Sequence, residues 1–157
     1  MIGAGCGPGT PEFEWAKRDL ALHPARCTLA YFHHPIHGAE PWPKGVFLLQ
    51  LQPLWQLLDD NGVDVVLNGH EHSYQRYAPQ DAYGRPDRNG IVQFTVGTGG
   101  STYGSLPEGD AAANLVAAQD TSFGVLRMTL LDGGYDFAFV PAAGEQPFSD
   151  EGHGDCV

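Results

Sequence analysis

The chain has 157 residues, a formal charge of −11, 42% hydrophobic and 17% charged residues, 21 glycines and 12 prolines. That length and mixture imply one soluble, turn-rich globular domain and exclude a disordered tail. The acidic surplus argues against general binding to nucleic acid or to an anionic membrane, since both need basic surface; an anionic ester would need a local positive charge such as a bound metal.

From the amino terminus, "MIGAGCGPGT" carries neither the basic nor the apolar region of a signal peptide. "TPEFEWAKRDLALHP" predicts a helix, with Thr10 as N-cap, Pro11 at the first helical position and Glu12 and Glu14 at its positive end. Phe13, Trp15 or Ala16, and Leu20 form its apolar stripe, and Pro24 stops it. "CTLAYF" (Cys27 to Phe32) is a short apolar run of the kind buried on both faces of a parallel sheet. After a loop from Pro35 to Gly45, "VFLLQLQPLWQLLDDNG" predicts a second helix, with Pro53 marking a kink or late start and Asn61-Gly62 the stop. Its longest apolar stretch, Val46 to Leu58, is broken by Gln50, Gln52, Pro53 and Gln56, far short of a membrane span.

"VDVVLN" predicts another buried strand, so the first half reads helix, strand, helix, strand, with parallel pairing through a right-handed crossover. In the second half "IVQFTVGTGG", "FGVLRMTLL" and "YDFAFVP" predict strands, the last two joined by a hairpin turn at "LDGG". Residues 101–120 are expected to form a loop, and Glu145 to Val157 a polar tail extended over the surface. Of the three cysteines, Cys6 and Cys156 lie in Gly-rich ends, where a reduced thiol has little to pack against. By count alone, reduced thiols and staples stand equal. A Cys27–Cys156 bridge would tether the tail to the sheet and leave Cys6 without a partner in this chain.

Five of the seven histidines fall in two places, His33, His34 and His37 in "FHHPIHG" and His70 and His72 in "NGHEH". Both clusters follow directly on predicted parallel strands, where ligand groups gather in such sheets. A lone H-x-H is more often surface decoration. Paired with His33 at an equivalent strand end, it points to a metal, for which neutral imidazole is the commonest protein ligand. Of His33 and His34, one is expected to be a ligand and the other to lie beside the site. A cupin would need a glutamate where "SYQRY" stands, and a serine hydrolase a G-x-S-x-G elbow that the chain lacks.

"FHHP" followed by "VLNGHEHSYQRY" resembles the calcineurin-like metallophosphoesterases, most closely their purple-acid-phosphatase-like secreted bacterial members. "GTPEFEWAKRDL", "FTVGTGG" and the ending "FVPAAG" with a final Cys extend the resemblance over essentially the whole chain. It implies an α/β fold, the C-terminal half of a four-layer α/β/β/α sandwich with mixed sheets, residues 1–157 forming one partial domain. It also implies phosphoric ester hydrolysis at two divalent or trivalent ions (Fe, Zn or Mn), with metal-bound hydroxide attacking phosphorus. His33 and His70 would bind one ion and His72 the other; His34 and His37 would be catalytic neighbours of the phosphate or leaving group. Arg76 is expected in a structural ion pair.

The family's earlier carboxylate motifs are absent. Gly109-Asp110, in a loop without a preceding strand, and Asp132, in a hairpin turn, do not replace them. The expectation is therefore a secreted hydrolase, a phosphate ester as substrate, a missing N-terminal half as partner, and at most one ion held by this chain. The alternative is a non-catalytic metal- or partner-binding fragment. A mononuclear zinc hydrolase complete in itself would have only Glu71 and Asp64 nearby as base.

Overall fold

The computed structural model describes residues 6–39, 46–106 and 113–157. Part of the Pro35–Gly45 loop and the Gly109-Asp110 pair lie outside the described residues. Helix α1 (Pro11–Leu22) begins after Thr10, whose extended backbone is that of an N-cap. The Thr10 hydroxyl donates to the Gly7 carbonyl instead of capping, and the Glu14 carboxylate accepts the Gly9 N–H. Phe13 is buried, whereas Trp15 stands 60% exposed, so Ala16 and Leu20 carry the inward stripe.

Strand β1 (Leu29–Tyr31) and β2 (Val65–Asn68) pair in parallel, as the helix-strand alternation predicts. Helix α2 (Val46–Asp60) lies between them in sequence and runs through Pro53. It closes where Gly62 adopts a φ of 68° and Val63 donates to the Leu58 carbonyl. Strand β2 also pairs in parallel with β4 (Ile91–Val96), and β3 (Tyr74–Gln80) lies antiparallel between β4 and β5 (Leu115–Gln119). The first sheet is thus mixed, in the order β1-β2-β4-β3-β5. The second is an antiparallel meander of β6 (Gly124–Leu131), β7 (Gly134–Pro141) and β8 (Glu151–Asp155).

Alternation along the strands builds two cores. Val66 and Ile91 face the helices with Phe13, Leu54, Trp55 and Leu58, while the neighbouring Val65 and Phe94 face the second sheet with Tyr135, Phe137 and Phe139. The described residues therefore stack as helices, mixed sheet and antiparallel sheet. Strand β5 corrects the expectation of a continuous loop over 101–120. The tail is extended and exposed as expected, but it is also a strand: "EGHGD" pairs along β7, and Cys156 is bonded to Cys27.

Candidate metal centre

His33 and His34 follow β1, and His70 follows β2, so parallel pairing carries both segments to the same end of the sheet. The chain is laced together there. Gly69 N–H donates to the His33 carbonyl (2.9 Å), and Asn68 Nδ2 donates to the carbonyls of Phe32 (2.8 Å) and His34 (3.4 Å). His70 itself sits at a φ of 63°, and Glu71 N–H reaches back over it to the Gly69 carbonyl (2.8 Å). An i to i+2 bond with positive φ at its centre is the rare, strained kind of γ-turn. Such strain costs about 1–3 kcal/mol and persists only where the surroundings over-determine it.

The result is a cluster. One ring nitrogen each from His33, His34 and His70 lies within 4.8 Å of the other two. The ring centroids are 4.6 Å apart for His33–His34, 4.5 Å for His34–His70 and 5.3 Å for His33–His70. Burial lowers the His34 pKa, and the neighbouring His70 and His33 lower it further. Neutral imidazoles are the form that binds a metal.

The other two histidines are placed differently. His72 stands outside the trio: its Nδ1 lies 2.6 Å from Thr102 Oγ1, and its carbonyl accepts the Gly104 N–H. His37 packs edge-on against Trp55, with ring centroids 5.2 Å apart, and near Tyr77 at 6.4 Å. Burial there pushes its pKa down to about 4 against the pull of Asp81, and its enclosed Nε2 has no hydrogen-bond partner among the described residues.

Two buried glutamines pin the histidine loop from beneath, and nothing in the motifs announced them. Gln93 of β4 donates to the His37 carbonyl and accepts the His37 N–H (3.4 Å). Gln75 of β3 accepts the Ala39 N–H (2.9 Å) and donates to Glu71 and to Ser73 Oγ (2.9 Å). Their only sequence signal is a polar residue at an inward strand position. The Glu71 backbone crosses Gly97 so closely that any side chain there would strike its carbonyl.

Neither carboxylate considered as a base is at liberty. Glu71 is buried against Gln75, and Asp64 accepts the Thr28 N–H (2.8 Å) and Val157 N–H (3.0 Å). Arg76 forms the expected ion pair, a two-pronged contact with Asp150 at 2.8 Å on each prong, and Tyr74 donates to the same carboxylate. Three imidazoles fit one borderline cation. They do not by themselves fit a dinuclear centre: among the described residues no carboxylate joins the trio. The other candidate group, Cys27, Asp64 and Cys156, has its two sulfurs in a disulfide.

No family model matches the chain. It is 28% identical over 127 residues to purple acid phosphatase 22 of Arabidopsis thaliana, covering 78% of this chain and 29% of that protein. It is 30% identical over 99 residues to purple acid phosphatase 18 of the same plant, covering 59% and 22%. Among solved structures, a purple acid phosphatase from yellow lupin (Lupinus luteus) seeds superposes with a TM-score of 0.80 at 18% identity, over 94% of this chain and 28% of that one. GAP50, the anchor in the inner membrane complex of Plasmodium, superposes with a TM-score of 0.67 at 17% identity, over 93% and 43%. The chain spans less than a third of the length of the phosphatases it matches. These likenesses fix the α/β fold as that of a purple acid phosphatase fragment and support kinship with the metallophosphoesterase superfamily.

Proposed function

We propose that this chain supplies the imidazole wall of a metal-dependent phosphoric ester hydrolase, and that a further polypeptide segment supplies the carboxylate wall. The observation that carries this reading is the convergence of His33 and His70 from the ends of adjacent parallel strands, in a chain similar to purple acid phosphatases over 78% of its length. In this reading His33 and His70 hold one ion and His72 the other, in a two-ion centre of Fe, Zn or Mn. The ions' chemistry is to neutralise phosphoryl charge and orient the ester. The remaining work falls to this chain's own groups. Asn68 fixes the backbone that carries His33 and His34, and Thr102 fixes the ring of His72. His37, neutral down to about pH 4, is assigned to the leaving-group side, where it would act by hydrogen bonding rather than charge.

The Cys27–Cys156 disulfide supports secretion into an oxidising compartment. The test is hydrolysis of aryl phosphate mono- and diesters by the complete polypeptide that carries this segment, with His33→Ala and His70→Ala beside it. Loss of at least about a hundredfold in both variants is expected, since each removes a metal ligand outright. Unchanged turnover in both would overturn the proposal, and turnover by the isolated 157 residues with Mn or Zn would overturn the need for a second segment. The second reading, a non-catalytic metal- or partner-binding fragment, has one observation in its favour: the trio lacks a carboxylate among the described residues. A protein of similar fold, GAP50, is described as an anchor.

A further inference from the structure

We propose that reduction of the Cys27–Cys156 disulfide opens a second metal site, in which the two thiolates and the Asp64 carboxylate hold one thiophilic dication. The site lies at the amino end of the β1–β2 pair, opposite the histidines, and does not rest on the phosphatase reading above.

Three observations converge on it. First, one Asp64 oxygen and the two sulfurs lie within 4.8 Å of one another. A tetrahedral ion with metal–sulfur bonds of about 2.3 Å and metal–oxygen bonds of about 2.0–2.2 Å sets its sulfurs about 3.8 Å apart and sulfur and oxygen about 3.5 Å apart. The Cα atoms of the two cysteines are 5.4 Å apart. Once the bond is cut, side-chain rotation opens the sulfurs to that spacing while the backbone stays in place.

Second, hydrogen bonds that do not need the sulfur–sulfur bond hold the two cysteines face to face. Asp64 accepts the N–H of the residue after each cysteine, Thr28 at 2.8 Å on Oδ2 and Val157 at 3.0 Å on Oδ1. Asp64 N–H donates in turn to the Thr28 carbonyl, Cys156 N–H donates to the Gly133 carbonyl, and β8 pairs with β7 up to Asp155. The carboxylate therefore supports both halves of the dithiol.

Third, Asp64 is only 6% exposed, yet no cationic side chain pairs with it among the described residues, whose arginine ion pairs engage Asp132, Asp150 and Asp81. Buried charges are ordinarily paired or coordinate a metal. Each carboxylate oxygen keeps a lone pair beyond the one its N–H partner uses. Two thiolates beside this carboxylate would gather three negative charges. A dication offsets two of them and so favours the thiolate form that the carboxylate alone opposes.

The reductant is a small dithiol. Its thiolate attacks one sulfur, its second thiol resolves the mixed disulfide, and two protein thiols and an oxidised dithiol result. The dication then displaces both thiol protons to solvent and takes two sulfurs, one carboxylate oxygen and a water. Zinc and cadmium suit this donor set; calcium and magnesium, which take oxygen ligands, do not. The tail is thus stapled by a covalent bond in oxidising surroundings and by an ion in reducing ones.

The experiment starts from the full chain in a Cys6→Ser background, so that the free thiol takes no part. It is reduced with dithiothreitol, desalted without oxygen, and titrated with cobalt(II) and with cadmium. A thiolate-to-metal charge-transfer band in the near ultraviolet is expected, with both thiols protected from iodoacetamide. Imidazole gives no such band, so an ion at the histidine end is silent, and the oxidised chain should show none. Asp64→Asn should weaken binding at least about tenfold, with circular dichroism of its oxidised form checking the fold. The carboxyl-carbon NMR signal of Asp64 in the chain that keeps it should move on cadmium addition, which reads the same contact without a substitution.

No band in the reduced chain at micromolar metal, protection of only one thiol, or an Asp64 carboxyl signal that stays in place would each overturn the proposal. Unchanged binding in a folded Asp64→Asn chain would overturn it as well.

Discussion

The two ends of the β1–β2 pair are built on opposite principles. At the amino end, Asp64 accepts N–H groups from Thr28 and Val157 through its two oxygens, its own carbonyl accepts from Val92, and Cys27 is bonded to Cys156. At the carboxyl end, His70 is strained, three imidazoles crowd together, and Asn68 Oδ1 has no partner among the described residues. Stability is concentrated where the tail is stapled; the histidine end spends it on holding ligands in place.

That contrast can be broken most forcefully at the staple. The disulfide spans 129 residues, and closing so long a loop in the unfolded chain contributes about 4–5 kcal/mol. Cys27→Ala with Cys156→Ala should lower the denaturant midpoint accordingly while leaving the imidazole NMR signals of the trio in place. Loss of those signals in a still-folded chain would mean that the two ends are not separable.

Next in size is the clasp between the sheets. Asp150→Ala strands Arg76 and the Tyr74 hydroxyl, both of which donate to its carboxylate, and should cost about 3 kcal/mol in thermal or chemical unfolding. An effect below 1 kcal/mol, about that of a surface pair, would contradict a buried structural role.

The pH dependence separates the histidine loop from that clasp. His37 is neutral in the fold down to about 4, whereas an ordinary histidine protonates near 6.5. The unfolded chain therefore binds more protons between these values, and stability falls as pH drops through that window, by about 3 kcal/mol. Asp150 behaves differently. Burial raises its pKa, but the hydrogen bonds from Arg76 and Tyr74 outweigh that and hold it below the ordinary 3.8. Its contribution is full above that value and is lost only as pH falls further, through its folded pKa. His37→Gln should flatten the upper window and leave the lower one, as read from unfolding free energies between pH 3 and 8.

The smallest expected effect carries the opposite sign. His70→Gly places the residue that tolerates positive φ at the strained position and should stabilise the metal-free chain by about 0.5–1 kcal/mol. A destabilised variant would mean that the His70 ring contributes more packing than its backbone costs.

What the sequence disclosed follows from the physics of each segment. Apolar runs betrayed β1, β2, β4, β6 and β7: β2 and β4 are buried between layers and leave little choice of residue, whereas β6 is apolar although Val125, Leu130 and Leu131 stand exposed. Strand β3 hid behind glutamines that exist to hold a loop distant in sequence, and β5 behind small residues beside a Gly-rich stretch. Strand β8 is polar because its glycines lie under aromatic rings: a side chain at Gly154 would collide with Tyr135. At the site, the strand-end positions of His33 and His70 were legible. The approach of the His34 ring to the other two was not, since adjacent residues ordinarily diverge, and the Thr102 hydroxyl beside the His72 ring lies 30 residues downstream.

The most direct measurement is two-dimensional NMR of the imidazole nitrogens of the full chain during zinc addition. The account predicts that the His33 and His70 signals shift together and saturate at one equivalent, while those of His23 and His153 stay in place. Shifts spread equally over all seven histidines, or absent from His33 and His70, would contradict it.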